Sequence, residues 1–567
     1  VGSAHFCFKQ DEGAWVEDQK AESHHNTSIL FLVGAIDLLI LVILGLFFWS
    51  SFIGGIGWGG RMHLTHGADL RRALILSIAA ASVWREFRAQ SRVIALLRGF
   101  AKILEASKRA RWSLWVFGLA LSLVVAALQT SALRYALYDV GIFHQILWSF
   151  IHDFGFRSTI SGAGDFFRDH LSPSLALLSP IFWASDSSPY CLGFSMVALI
   201  SIGTAAWLRL AERICESGSN VPAAAALFIV SFDSLWANER WGFHENALYF
   251  AAMSWAVSWF IAPPKWTKFQ FPLVICLLVA AGSKEILLLN VAVFSLIWAF
   301  RLKGNRKWIA SGLAILFSVF LGGVFIFFEK LPHAEGKNYF LRYYSYLGSD
   351  LGSFASVLFL HPWKIVEAVG AESLFRYFMT VFAPWLFLPL LFFFKNPSRY
   401  LLLAVLLPSF MSAALSTYSP LRDSNFHYVL ELWPVLACLT ILALNDLRIP
   451  KLAWIWACLA LLALDQDPVA EIREYGAGTA LEAEARAKIS EISFTLSVAA
   501  DELAGPWISS RAFVTRYPDL HLMPSGCPDV FLLHIDTPPR KECGDKTYVE
   551  SWHSGEWVVY QEGKGSL

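Results

Sequence analysis

Several short stretches of this chain put ionisable or imidazole side chains where an apolar run ends or breaks. YDVGIFHQ places Asp139 at the end of the apolar segment 113–133, and FFRDHLSP brings Asp169 and His170 in front of Ser172-Pro173. WGFHENAL sets His244 beside Glu245, AAGSKEILLL sets Lys284 beside Glu285, and SPLRDSNFHYVLELWP supplies Arg422, Asp423 and His427. KNYFLRYYSYLG adds Lys337, Arg342, Tyr343 and Tyr344. Carboxylates and imidazoles are the usual general acids and bases, and cations suit a phosphate. Mixed His and carboxylate groups could hold Mg or Mn, but no spacing here specifies a metal site.

Each group also has a plain structural reading. Asp139 is a good N-cap for the segment that follows it, and Asp169 and His170 could cap the helix that Ser172-Pro173 starts. His244 and Glu245 have the same alternative. Lys284 and Glu285 interrupt about thirty mostly apolar residues, where ionisable groups mark a polar cavity or an ion pair. They could instead neutralise each other in a tight turn. The tyrosines at 343–344 fit a bilayer interface better than a sugar face.

The elements that must carry these residues are membrane helices. The chain has 567 residues, 56% hydrophobic and only 16% charged, with a mean hydropathy of +0.50. That is the profile of a multi-spanning membrane protein. A formal charge of +0 offers no basic field for nucleic acid. No P-loop, GxGxxG after a strand, HExxH or GxSxG occurs in its proper context, so nucleotide-driven transport and the common hydrolase mechanisms lack support.

Apolar runs long enough to span recur at about twelve places. The first covers roughly 29–53, and a basic stretch at 85–111 follows it, with Arg88, Arg92, Arg98, Lys102, Lys108 and Arg109. Positive loops face the cytoplasm, so the span at 113–133 runs outward and leaves Asp139 outside. Alternate loops are again basic at Arg209 and Arg213, Lys265 and Lys268, Arg301 to Lys307, Lys395 and Arg399, and Arg448 and Lys451. The intervening loops, 134–172, 329–372 and 417–427, are of mixed sign and rich in His and aromatic residues. Beyond Asp139, Val140, Phe143, Leu147 and Phe150 fall on one helical face and His144, Gln145 and Ser149 on the other, which predicts an amphipathic surface helix.

Three domains are expected: 1–112, an extension with one span and a basic cytoplasmic segment; 113–464, a transmembrane domain; and 465–567, a soluble external domain. In the last, GTALEAEARAKISEI reads as a solvated helix, and RAFVTRYPDLHLMP and DVFLLHID read as short strands, a small α/β fold. Cys527 and Cys543 lie there, separated by a loop that a disulfide could close outside the cytoplasm. The polar residues 1–28 lack the basic n-region of a secretory signal.

The order YDVGIFHQILW, SG then FFRDHLSPSLALLSPIF, FHENAL, SKEILLL and FHYVLELWPVL resembles an uncharacterised prokaryotic family of multi-spanning membrane proteins grouped with the GT-C glycosyltransferases. The resemblance covers about 113–445. It implies an all-α polytopic membrane protein, a GT-C-like bundle of about eleven to twelve transmembrane helices, with the small external α/β domain at the C-terminus. It also implies transfer of a sugar from a polyprenyl-phosphate-linked donor to an external acceptor. Asp139 matches the family's acid at the external end of the first helix, as general base or metal holder. Lys284, Arg422 and His427 are candidates for the donor phosphate, and Asp169, His170, His244 and Glu245 for the acceptor or metal side. The first loop carries a single acid, not the doubled acidic motif of better-known GT-C enzymes, which leaves a metal open.

A prokaryotic inner membrane is the expected location, with the C-terminal domain external or periplasmic. The expected partners are the lipid-linked sugar, the bilayer and, through residues 1–112, envelope proteins. Two other functions stay open: a lipid or solute transporter, prompted by the Lys284/Glu285 pair, and a non-catalytic scaffold of an envelope complex, prompted by residues 1–112. Transporters of this kind usually carry inverted repeats, and no second half is evident here.

Overall fold

The computed structural model describes residues 92–563 except 162–163, 169, 217–218, 264–270, 303–305, 331–340, 349–350, 396, 425, 464–467, 521–522, 524–525 and 538–541, together with 38, 42, 56–58 and 62–64. The chain divides into two compact units, 1–108 with 465–470, and 109–464 with 471–567. In the first, β1 (Ile56–Trp58) and β2 (Met62–Leu64) form an antiparallel hairpin. The helix Arg92–Ala106 follows, with Leu96, Phe100 and Ile103 exposed.

Among the described residues three helices are long and apolar enough to cross a membrane: Lys108–Ser131, Cys191–Ile214 and Val221–Arg240. A fourth crossing exists if Ala371–Trp385 and Leu388–Phe394, bent by 86°, make one span. Seven further apolar helices have 10–17 described residues, Lys307–Gly323 among them as part of the 25-residue helix Arg306–Lys330. At about 1.5 Å per residue those of 10–15 residues fall short of a hydrocarbon core about 30 Å thick. The molecule is thus a largely α-helical, membrane-associated bundle with a C-terminal β-sheet domain.

The core lies where Cys191–Ile214, Asn246–Ile261 and Trp433–Leu447 meet, and residues 433–444 are buried on every side. Gly203 lets two of these helices approach closely, since a β-carbon there would lie 2.4 Å from the Phe250 ring. Trp207, Trp385, Trp433 and Trp456 are fully buried, and Phe228 stacks on Trp456 at 4.2 Å. Polar pins fix the register: the Trp207 indole N–H donates to Ser254 Oγ at 3.1 Å, and Asn290 Nδ2 donates to Ser409 Oγ at 2.8 Å.

The bundle has two chemically distinct ends. At one, Arg111 Nε pairs with Glu212 at 3.2 Å, Arg448 pairs with Glu216 at 3.1 Å, and Arg213 donates to Ala262 O at 3.2 Å. These belong to the basic loops. The turns bearing Asp139, His170, Glu245, Lys284 and His427 lie at the other end, with the C-terminal domain.

In the first loop β3 (Arg157–Ser158) pairs antiparallel with β4 (Gly164–Asp165). The C-terminal domain holds β5 (Val498–Ala500), β6 (Val514–Arg516), β7 (Val530–His534), β8 (Glu542–Cys543), β9 (Lys546–Ser554) and β10 (Trp557–Glu562), in one six-stranded sheet of order β6-β5-β7-β10-β9-β8. β5 pairs in parallel with β6 and β7. β10 runs antiparallel to β7 and to β9, and β8 completes the edge. A disulfide joins Cys527 and Cys543, with Cα atoms 5.7 Å apart. The β9–β10 hairpin, the longest strand pair, was not expected from the sequence. Its two-residue Gly555-Glu556 turn between runs rich in Val, Tyr and Trp is a legible hairpin signal.

The helix after Asp139, Ile142–Ile151, does not lie on a surface. Residues 142–149 are all buried, His144, Gln145 and Ser149 included. The expected polar face binds protein: Gln145 Nε2 donates to Thr159 Oγ1 at 3.0 Å and Arg511 O at 3.1 Å, while its Oε1 accepts from Ser158 Oγ at 3.0 Å and Thr159 N at 2.9 Å. Thr159 Oγ1 in turn accepts from Val514 N at 3.0 Å, in β6. A hydrogen-bonding stripe therefore meets the C-terminal domain, where periodicity alone suggested water.

Candidate functional site

Asp139 sits in a π-turn. The Lys108–Ser131 helix ends in a left-handed residue, Leu133 (φ 51°), and Arg134 N–H bonds back to Gln129 O at 3.1 Å. Residues Leu137–Gly141 then wind one π-turn, with Gly141 N–H to Ala136 O at 3.2 Å. Such turns are rare and cluster at functional sites. Neither this turn nor the following helix has a side-chain cap, so the capping role open to Asp139 is not the one it plays. Gly242 (φ 85°) fixes the approach to the turn, because a β-carbon there would lie 2.2 Å from Val140 Cγ2.

Behind the turn lies a buried polar group drawn from four loops. Lys284 Nζ pairs with Glu245 at 2.9 Å, and Lys284 stands 5.3 Å over the Tyr428 ring. Glu285 accepts from His170 Nδ1 at 3.2 Å and from Leu171 N at 3.0 Å. The His244 and His427 rings stack with centroids 3.5 Å apart. Asn246 Nδ2 reaches Glu431 at 3.1 Å and His427 O at 3.3 Å. The first loop is stapled to the Lys284 turn, since Ser174 N donates to Gly282 O at 2.8 Å and Ser174 Oγ to Val279 O at 2.9 Å.

Lys284 and Glu285 do occupy a tight turn between two apolar helices, but they do not neutralise each other. Adjacent side chains in the turn face different partners on different loops, which ties 170–171, 245 and 284–285 into one unit.

Proton affinities follow from burial and from these neighbours. Burial disfavours the Lys284 ammonium, yet Glu245, Tyr428, Glu285 and Glu431 outweigh it and raise the pKa above that of free lysine. Burial alone would push Glu245 up; Lys284, His170 and His244 pull it down to about 2. Burial lowers His244 despite the nearby charges of Asp139 and Glu245. His427 is pushed well below the usual histidine range by burial, then by His244, Lys284 and His170. Burial raises Glu431 to about 7, against the pull of Lys284 and of a Ser409 hydrogen bond. The group therefore holds the Lys284–Glu245 and His170–Glu285 pairs, two imidazoles whose proton affinity burial lowers, and one carboxyl whose proton affinity burial raises.

The structure brings Asp139, His170, His244, Glu245, Lys284 and His427 together; Asp169 lies outside the described residues. It does not keep the expected phosphate side apart from the acceptor side, because Lys284 bonds Glu245 and His427 stacks on His244. Burial, then His244, Lys284 and His170, weaken the hold of His427 on a proton. Arg422 belongs to a neighbouring group: it donates to Ser373 Oγ at 3.0 Å, to Ala413 O at 3.2 Å and to Ser416 O, satisfying carbonyls at the end of the Leu407–Leu415 helix. Among the described residues no three His, Cys, Asp or Glu side chains are grouped so that they could together hold a metal ion.

Glu431, Asn246 and Tyr428 are site residues that sequence reasoning missed. His427 and Glu431 are four apart on either side of apolar residues, a spacing visible in FHYVLE. Asn246 directly follows the His-Glu pair.

The family profile described as "Predicted membrane protein (DUF2079)" matches residues 129–519. The chain belongs to the DUF2079 family. That match takes in the Asp139 turn, the whole polar group and the first two strands of the C-terminal sheet. No curated protein matches the chain. Among solved structures, ArnT from Cupriavidus metallidurans bound to undecaprenyl phosphate is similar to this DUF2079 member at 11% identity with a TM-score of 0.46, covering 78% of this chain and 97% of ArnT. The Archaeoglobus fulgidus oligosaccharyltransferase is similar at 12% identity with a TM-score of 0.38, covering 73% of this chain and 64% of that one.

Proposed function

We propose that this protein is an integral membrane glycosyltransferase of GT-C type, moving a sugar from a polyprenyl-phosphate-linked donor to an acceptor hydroxyl outside the cytoplasm. The observation that carries the reading is that the Asp139 carboxylate, unheld by hydrogen bonds among the described residues, and the buried Lys284 ammonium group, paired with Glu245, both lie close enough to His244 to act on its charge. A base must meet an acceptor hydroxyl at one face of the sugar while a cation meets the departing phosphate at the other. Asp139 takes the acceptor proton as the new glycosidic bond forms. Lys284, which keeps ammonium protons beyond the one bound to Glu245, donates to the phosphate oxygen as the old bond breaks.

Two further features support the external side. The C-terminal domain shares an end with the site and opposes the end that carries Arg111, Arg213 and Arg448. The Cys527–Cys543 disulfide suits an oxidising compartment.

Purified protein in nanodiscs, given an undecaprenyl-phosphate-linked radiolabelled sugar and envelope extract as acceptor, tests the reading. Transfer by the natural chain, lost at least 100-fold in Asp139→Asn with unchanged thermal stability, is the expected result, since removing a general base costs about 100- to 10000-fold. Equal transfer by Asp139→Asn and the natural chain would sink it. Movement of labelled lipid across liposome membranes without transfer would favour the transporter instead.

A further inference from the structure

The C-terminal domain does more than cover the site. In a π-turn the N–H of residue i reaches back to i−5, so the Tyr138 N–H has no acceptor within the turn that begins at Leu137. Glu502, 364 residues away in sequence, supplies it: its Oε1 accepts from Tyr138 N at 2.9 Å. The other oxygen, Oε2, pairs with Arg516 Nη1 at 3.3 Å, and the Arg516 guanidinium lies 4.8 Å from the Tyr138 ring centroid. Backbone and side chain of the residue before Asp139 are thus both gripped by one Glu–Arg pair.

The grip is itself held. Asp501 Oδ1 accepts from Glu502 N at 2.7 Å, and Asp501 Oδ2 accepts from Thr537 Oγ1 at 2.7 Å. Arg516 ends β6, the strand that Thr159 also binds. Gly505 (φ 36°) brings this segment against the chain entering the turn, because a β-carbon there would lie 2.2 Å from Tyr135 O. Trp507 donates to Thr130 O at 2.8 Å, and a β-carbon on Gly141 would come within 2.9 Å of Ser509 Oγ. The domain is therefore docked also by contacts that do not involve Glu502.

We propose that Glu502 and Arg516 are positioning residues for Asp139, holding the π-turn in the one winding that presents its carboxylate to the site. Arg516 also neutralises Glu502, which would otherwise set a second bare anion beside Asp139. The consequence for transfer rests on the glycosyltransferase reading; the clamp itself does not.

Hydrogen–deuterium exchange on the full chain in nanodiscs, with Glu502→Ala and Glu502→Gln beside the natural protein, tests this directly. The glutamine oxygen can still accept from Tyr138 N. Exchange at 138–141 is expected to quicken about tenfold in Glu502→Ala and to stay near the natural rate in Glu502→Gln, with β7 and β10 unchanged in both. Transfer should fall about tenfold in kcat in Glu502→Ala with the donor KM unmoved, and recover in Glu502→Gln. Unaltered exchange at 138–141 in Glu502→Ala overturns the clamp, and a loosened turn with full transfer overturns its positioning role. If the natural chain transfers no sugar, the functional reading fails and the exchange result alone decides the clamp.

Discussion

At the scale of residues, the Lys284–Glu245 pair has the largest consequences for stability. Removing one partner of a buried pair leaves the other charge uncompensated, at a cost of roughly 3–5 kcal/mol, whereas replacing both with apolar groups is often close to neutral. Lys284→Met should therefore melt well below the natural protein, and Lys284→Met with Glu245→Leu should recover part of the loss, the remainder reflecting Glu285 and Glu431. Thermal unfolding in detergent reads the difference; a double variant less stable than the single would contradict the pairing.

The same group makes a signed prediction about pH. His244 and His427 have lowered pKa values in the fold, so their contribution is present above about 6.5 and is lost as pH falls and the unfolded chain takes up protons. Glu431, raised to about 7 from an ordinary 4.5, acts oppositely: the fold holds its proton more tightly, so stability falls as pH rises from about 4.5 to about 7. The two effects offset each other in that window. Glu431→Gln removes one of them, so its melting temperature should fall more steeply from pH 6.5 to 5 than that of the natural protein; equal slopes would refute the assignment of Glu431.

At the scale of elements, short irregular segments position the site and the long helices only carry them. Gly242 presses on the π-turn at Val140, and Gly505 presses on the chain entering it at Tyr135. Gly242→Ala introduces a β-carbon at a positive φ and against Val140, at a cost of about 2–4 kcal/mol. Its expected signature is a lowered melting temperature with faster exchange at 137–141; a variant as stable as the natural chain would mean that the turn yields easily. Elements were also where sequence reasoning erred. Period and polarity correctly indicated a helix after Asp139, but polar side chains at helical spacing look the same whether they meet water or, like Gln145, the amides and carbonyls of another segment.

At the scale of the whole molecule, the segregation of the two ends predicts sidedness. Glu216 and Glu491 are both exposed, near the basic loops and in the C-terminal domain respectively. In a background with the free cysteines changed to serine, a membrane-impermeant maleimide added to intact cells should label Glu491→Cys at once and Glu216→Cys only after permeabilisation. The reverse pattern would invert the topology and put Asp139 in the cytoplasm.

Read alone, the amino-acid sequence determined the membrane character, the alternation of basic and mixed loops, and most of the polar residues at one end, because hydropathy and charge are local properties that any window of the chain displays. It also displayed each ionisable residue beside its chain neighbour: Lys284 beside Glu285, His244 beside Glu245. Only the tertiary structure decided the partners. Glu245 takes Lys284, Glu285 takes His170, His427 stacks on His244, Arg422 turns to helix-end carbonyls, and Glu502 reaches Tyr138. A buried charge finds its lowest energy with whatever partner packing brings within about 3 Å, and packing joins Glu285 to His170 across 115 positions and Glu502 to Tyr138 across 364, distances over which no local pattern carries information.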